Sequence, residues 1–353
     1  MLPTRVCDLL GIEHPIVQSP MRWPVSPQLT AAVSNAGGLG ICSTHAMSEY
    51  ETTDPREFSE RQRLTIREVR KLTDKPIGVI IRCKVANPER KGLDKYAPEE
   101  LAVMEVALEE EVPIAYTTLG NPDAMVERLH KAGMKVMHIG TQVRHAEKVE
   151  ESGCDAFVCA GYEAGGHSPG HGDTTMFTLL PQVVDAVKIP VLAGAGVGDA
   201  RSFVAAFALG AEGVSMGTRF TATHESRFHQ TVKDAMVNAG DTATVAWGKT
   251  LGTGLGRTMK NKFTEGYLDR EIHGASAGEL HAFIGGYQDP NGKGYERKTG
   301  GYFAADLEWG EIYMGAVVGL IREIKHAGDV VTDMVRDAEK VLARLNANSV
   351  PTR

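Results

Sequence analysis

The chain has 353 residues, 42% of them hydrophobic, and a formal net charge of −7, enough to bury a large core in one large domain or two ordinary ones. A sequence pI of about 6.0 with no basic stripe argues against nucleic acid as a partner. No segment approaches the ~20 apolar residues of a bilayer span, the start Met1-Leu2-Pro3-Thr4-Arg5 lacks the apolar core of a signal peptide, and five cysteines without a CxxC pair fit reduced thiols, so the expectation is a cytoplasmic protein with no membrane contact.

Short β-rich runs alternate with helical stretches along the first two thirds of the chain. The strand Pro15–Gln18 follows a short helix, and the helix Pro27–Asn35 stops at Ala36-Gly37-Gly38 before the strand Leu39–Cys42. A helical stretch over Arg56–Leu72 precedes the strand Pro76–Ile81, and the helix Pro98–Glu110 precedes the strand Ile114–Thr117. The helix Pro122–Ala132 leads to the strand Lys135–Ile139, and the helix Val143–Ser152 to the strand Asp155–Ala160. The helix Leu179–Val187, the strand Pro190–Ala193, the helix Asp199–Leu209 and the strand Gly213–Met216 complete the series. Cys154 and Cys159 sit in or beside an apolar strand and read as core.

Strands alternating with helix-length connections imply parallel pairing with right-handed crossovers. Eight such units in about 220 residues fit an α/β fold of the (β/α)8 TIM-barrel type, with function at the carboxyl ends of the strands. The rival is a doubly wound dinucleotide fold, which wants a glycine fingerprint after its first strand. Here that place reads Gln18-Ser19-Pro20-Met21-Arg22-Trp23, and the cluster Gly252, Gly254 and Gly256 reads as a loop. Residues 254–308 break the alternation with turn signals at Asp289-Pro290 and Asn291-Gly292. They are expected to form an inserted lid or small subdomain near the C-terminus, with residues 1–253 and 309–353 as the barrel and two closing helices, Gly310–Ala327 and Val330–Ala347. Tyr287, Tyr295, Tyr302, Phe303 and Trp309 give the insertion an aromatic face that suits either a lid or a homodimer contact.

The stretch Ala160-Gly161-Tyr162-Glu163-Ala164-Gly165-Gly166-His167 carries the strongest functional signal. A strand ends in adjacent glycines, which let a flat ligand approach the backbone, followed by one imidazole, the side chain whose charge changes most easily near neutral pH. Two further glycine runs, Ala193-Gly194-Ala195-Gly196-Val197-Gly198-Asp199 and Met216-Gly217-Thr218-Arg219-Phe220, follow the seventh and eighth strands. There the backbone N–H groups ahead of a helix favour anions, and barrels commonly bind phosphate at this place. A metal on His167, His171 and Asp173 is not expected, because the intervening proline and glycines oppose helical i,i+4 geometry. His138 on a barrel strand reads as packed, and Arg22 and Trp23 either line a pocket or sit at the surface.

These three glycine sites together resemble the nitronate monooxygenase (2-nitropropane dioxygenase-like) family, which includes FMN-dependent NADH:quinone reductases and is similar to the FMN-type enoyl-ACP reductases. The likeness extends to Gly11-Ile12-Glu13-His14-Pro15-Ile16-Val17, Pro20-Met21 and Asn35-Ala36-Gly37-Gly38-Leu39-Gly40, covering residues 5–225 and 312–322. The resemblance implies noncovalent FMN, with its phosphate against Gly194, Ala195, Gly196, Gly217 and Thr218, next to Met216. It places Pro20 and Met21 at the flavin ring, Thr141 at the end of the fifth strand near it, Gly165 and Gly166 against it, and His167 in the substrate space as the catalytic residue. The sequence departs from the pattern at Ile80, where relatives usually have Asn, and at Ala160, where many nitronate oxidisers have Gln. Both replace a polar group near the flavin with an apolar one, which leaves FMN binding intact but puts nitronate oxidation in question.

Three functions follow as expectations. The first is an FMN-dependent oxidoreductase that oxidises alkyl nitronates with O2. The second is a quinone or enoyl reductase using NADH or NADPH. The third is a non-redox barrel that binds a phosphorylated metabolite. In each the partner is a small-molecule substrate.

Overall fold

A computed structural model describes residues 4–167, 173–252 and 255–347. A parallel sheet of eight strands forms its centre: β1 (Ile16–Gln18), β2 (Gly40–Cys42), β3 (Ile77–Arg82), β4 (Ile114–Thr118), β5 (Lys135–Gly140), β6 (Ala156–Cys159), β8 (Val191–Ala193) and β9 (Gly213–Met216). The hydrogen-bonded order is β1-β9-β8-β6-β5-β4-β3-β2. The ring closes through a parallel bridge between Val17 and Leu39, with Leu39 N–H on the Ile16 carbonyl at 2.9 Å. This is the (β/α)8 barrel expected, and a closed ring excludes the doubly wound alternative.

Helices α2 (Pro27–Asn35), α3 (Pro55–Arg70), α4 (Pro98–Glu109), α5 (Asp123–Lys131), α6 (Val143–Glu151), α7 (Met176–Ala186) and α8 (Ala200–Ala208) connect successive barrel strands, after an initial α1 (Arg5–Leu10). Their starts are written locally. Ser26 and Asp54 each accept an N–H of the following turn with proline in its first positions, and Asp199 closes a capping box with Ser202. Strands covered on both faces read as continuous apolar runs. Their alternate residues form two cores. Val17, Ile41, Ile80, Tyr116, Met137, Val158 and Leu192 fill the barrel, while Ile16, Val79, Ala115, Val136, Phe157 and Val191 face the helices. His138 is buried in the wall with Nδ1 2.8 Å from Thr117 Oγ1, and Cys154 and Cys159 are buried. These three match the packed reading.

The eighth barrel helix does not follow the eighth strand. It is α14 (Ala327–Ala347), which returns after some hundred residues to pack against α8 and α2 through Val330, Val331, Met334 and Ala338. Between β9 and α14 lie α9 (Thr218–Thr221), α10 (Gln230–Val237), β10 (Thr244–Trp247), β11 (Gly256–Met259), α11 (Lys262–Ile272), α12 (Ala277–Gly285) and α13 (Arg297–Phe303). Gly256 therefore starts a strand rather than lying in a loop, and Gly254 falls outside the described residues. This segment has apolar cores of its own, one around Trp247, Phe263, Tyr267 and Leu280, the other around Phe228, Met236, Tyr302 and Ile312. Trp23 from the loop after β1 enters the second and ties it to the barrel mouth.

The helix expected over Gly310–Ala327 is not formed; a 3-10 turn at Ala316–Leu320 is its only helical part. Its backbone groups are used elsewhere. The Ile312 carbonyl accepts from Met259 N–H, Gly315 N–H donates to Thr218 Oγ1, and Ala316 N–H donates to the Glu163 carbonyl. Among the described residues no helix is long and apolar enough to cross a membrane.

Candidate active site

A cavity of about 530 Å³ opens at the carboxyl ends of the barrel strands, within the roughly 300–1,000 Å³ of small-molecule and cofactor sites. Its floor follows from strand alternation. The inward residues of each strand continue upward into Ile80 and Arg82, Ile139, Ala160, Gly194, and Ser215 with Gly217. Pro20, Met21, Gly165, Gly166, Ala195, Gly196, Met216 and Thr218 complete this part of the wall, together with His167. Thr141 does not line the cavity. β5 ends at Gly140, the chain turns into α6, and the buried Thr141 gives its N–H to His145 Nδ1 at 3.2 Å.

The wall fits a flavin phosphate and ring. Gly196 and Gly166 have φ of +72° and +86°, and a Cβ placed on either meets no atom of the described residues within 4 Å. A side chain there would be both strained and thrust into the cavity, so the glycines keep the backbone open to a ligand. Thr218 Oγ1 accepts from Gly315 N–H at 2.9 Å, which leaves its own hydrogen for a ligand oxygen. The apolar floor of Met21, Ile80, Ile139 and Ala160 suits an aromatic ring.

His167 is held by the inserted segment. It forms, with Gly166, a two-residue strand β7 that pairs with β11 (Gly256 opposite His167), and β11 in turn pairs antiparallel with β10. Tyr313 bridges to Thr258 on the same small sheet, and its hydroxyl lies 3.2 Å from His167 Nε2. Tyr313 also donates a very short hydrogen bond to Glu311, a carboxylate buried at 2% exposure. The His167 ring is exposed at the cavity wall, but the protein packed around it still strips part of its hydration, and this, with the charges of Lys298 and Arg22, lowers its pKa to about 4. It is therefore a neutral imidazole at pH 7.

Three cations face the same space: Arg22, Arg82 and Lys298. Each has a carboxylate behind it that does not line the cavity. Arg22 Nη2 lies 2.6 Å from Glu51, Arg82 pairs with Glu100, and Lys298 Nζ lies 3.8 Å from Glu311. Positive charge is thus presented inward while the assembly stays near neutral, which limits the cost of burying it. Arg22 Nη2 also lies 2.6 Å from His45 Nε2, which is itself 2.9 Å from Glu51 Oε2, and burial lowers the His45 pKa to about 4. Arg22 Nε is buried with no hydrogen-bond partner among the described residues.

The pocket reading of Arg22 and Trp23 holds, since both line the cavity. Of His167, His171 and Asp173, where no metal is expected, His171 lies outside the described residues, and among those described no three His, Cys, Asp or Glu side chains are placed to hold a metal. Arg82, Lys298, Glu311 and Tyr313 were not expected at the site. For Arg82 the signal was present, two residues beyond Ile80 on one strand face; the others come from a distant segment with no local pattern.

Fold and cavity define a (β/α)8 barrel with its candidate site at the strand ends. The nitronate monooxygenase family model matches residues 3–337. A probable nitronate monooxygenase of Staphylococcus aureus (strain JH9) is 32% identical over 292 residues, 74% of this chain and 79% of the relative. The (3aS,4S,5R,7aS)-5-hydroxy-7a-methyl-1-oxo-octahydro-1H-indene-4-carboxyl-CoA dehydrogenase of Rhodococcus jostii (strain RHA1) is 36% identical over 239 residues, 68% of this chain, and the match spans 61% of that relative's length. Among solved structures, FabK from Thermotoga maritima superposes with a TM-score of 0.82 at 34% identity, covering 99% of this chain and 100% of that one. The chain belongs to the nitronate monooxygenase family.

Proposed function

We propose that this protein binds FMN in the glycine cradle and oxidises alkyl nitronates with O2. The observation that carries the reading is the inward-facing set of Arg22, Arg82 and Lys298 beside a neutral His167, in one cavity with the glycine wall. A nitronate is an anion, and the three cations would hold it without competition from their own carboxylates, which lie behind them. Gly194–Gly196, Gly217 and Thr218 would hold the phosphate, and Met21, Ile80, Ala160, Gly165 and Gly166 the ring. Bound FMN supplies the electron transfer, while the protein supplies position and electrostatics. His167 takes the carbon-bound proton of a neutral nitroalkane, while the cations hold the nitro oxygens. Aerobic turnover of propyl-2-nitronate by the purified flavoprotein tests this; a flavoprotein inert to alkyl nitronates contradicts it.

The apolar Ile80 and Ala160 favour a second reading, an NAD(P)H-dependent quinone or enoyl reductase. Rapid anaerobic bleaching of the flavin by NADH or NADPH, with no turnover of nitronates, would select it.

A further inference from the structure

His167, Tyr313 and Glu311 form a chain that runs from the cavity into a buried carboxyl, with Lys298 Nζ 3.8 Å from Glu311 Oε1. We propose that Tyr313 and Glu311 are a proton relay behind His167: a proton taken up at one imidazole nitrogen leaves from the other, through the Tyr313 hydroxyl, to the Glu311 carboxylate. The geometry dictates the starting state. A phenol has one proton, and an ionised carboxylate only accepts. Tyr313 therefore donates to Glu311 Oε1, and His167 Nε2, 3.2 Å from the phenol oxygen, carries the ring proton and donates. Nδ1 is then the lone-pair nitrogen left for a ligand.

The transfer balances. The C–H bond of a carbon acid breaks and Nδ1–H forms. Nε2–H passes to the Tyr313 oxygen as the phenolic proton passes to Glu311. The imidazole begins and ends neutral, with its tautomer exchanged, and the negative charge has moved from Glu311 to the substrate carbon, facing the Arg22, Arg82 and Lys298 side of the cavity.

Three features of the surroundings fit this relay. Lost hydration, with Lys298 and Arg22, makes a charged His167 unfavourable at neutral pH, so a proton stored on the ring would be held poorly. Burial also raises the Glu311 carboxyl, against the pull of Lys298, Tyr313 and Arg297, with Glu296 adding to the rise. Tyr313 is held protonated by burial and by Glu311 and Tyr302, opposed by Arg22. The raised acid lies at the inner end and the depressed base at the cavity, which is the order a proton moving inward requires.

The relay is tested in the FMN-loaded protein in two ways. In the ¹⁵N spectrum of labelled histidine, His167 passes from the Nε2–H to the Nδ1–H tautomer as pH falls and Glu311 takes a proton; in Glu311→Gln one tautomer persists until the ring itself protonates near pH 4. The second readout rests on the nitronate reading above. The rate on a neutral nitroalkane, which must lose a proton, is divided by the rate on its preformed nitronate, which need not. That ratio falls about 10- to 100-fold in Glu311→Gln and in Tyr313→Phe. A ratio within twofold of the unsubstituted protein, or a wild-type tautomer that never changes with pH, overturns the relay. If neither substrate turns over, the nitronate reading has failed, and the tautomer alone decides on the relay.

Discussion

Gly165→Ala is expected to be among the most damaging single-methyl changes near the site. A Cβ on Gly165 would fall on the Gly315 backbone nitrogen and 2.6 Å from the Met314 carbonyl carbon. Unstrained carbon atoms sit about 3.5–4.0 Å apart, so the two segments must separate by roughly 1 Å. The 314–316 segment is not free to yield. Gly315 N–H is fixed on Thr218 Oγ1 at 2.9 Å and Ala316 N–H on the Glu163 carbonyl at 3.0 Å. Overpacking costs about 1–3 kcal/mol and a weakened internal hydrogen bond about 1 more, so the loss is about 2–4 kcal/mol. Gly278→Ala provides the opposite sign. Gly278 lies in α12, a Cβ there meets only Ser276 Oγ at 3.9 Å, and the change should stabilise by about 0.5–1 kcal/mol. Urea unfolding of both variants without FMN reads the difference. A Gly165→Ala protein within 0.5 kcal/mol of the parent, by the reckoning above, would refute the claim that these two backbones are locked together.

Thr258→Val removes the acceptor 3.0 Å from the buried Trp247 indole N–H; a loss of about 1–3 kcal/mol is expected in urea unfolding, as for any buried donor left unpaired. Arg22→Met should raise KM for an anionic nitronate about tenfold or more, roughly 1.4 kcal/mol of binding, with a smaller change in kcat, measured by steady-state oxygen uptake. For pH, burial lowers His45 to about 4 and His138 to about 3. The unfolded chain takes up protons on them near pH 6.5 while the folded protein does not, so their contribution is complete above that pH and is lost as pH falls toward 4. Unfolding free energies between pH 7.5 and 5 should show the decline. His167, also lowered to about 4, should give kcat/KM no limb near pH 6.5; a limb there would show that its ring titrates normally.

The barrel was legible because each unit carries its own instructions. The run Ile77–Ile81 is a strand in any buried setting, and Ser26-Pro27 or Asp54-Pro55 starts a helix through local hydrogen bonds. The glycine wall was legible for the same reason, since the runs around Gly166, Gly196 and Gly217 sit directly at strand ends. What sequence could not supply was partnership across distance. The apolar run from Ile312 to Val318 looks helical, yet its backbone bonds go to Met259, Thr218 and Glu163, which lie far away in the chain. Tyr313 therefore could not be placed beside His167, nor Glu311 behind it. α14 was expected as a closing helix, but its place as the eighth helix, between α8 and α2, depends on where the insertion ends. Thr141 lies outside the cavity wall for a local reason: one residue past the strand, the turn into α6 takes its N–H to His145.

The central claim is that one cavity holds FMN and presents an anionic nitronate to it. The most direct test is the visible spectrum of the purified protein, recorded anaerobically before and after an alkyl nitronate is added, with no pyridine nucleotide present. Flavin bands that bleach on adding the nitronate and return with air are the expected result. A protein that stays colourless and does not take up added FMN would contradict the account.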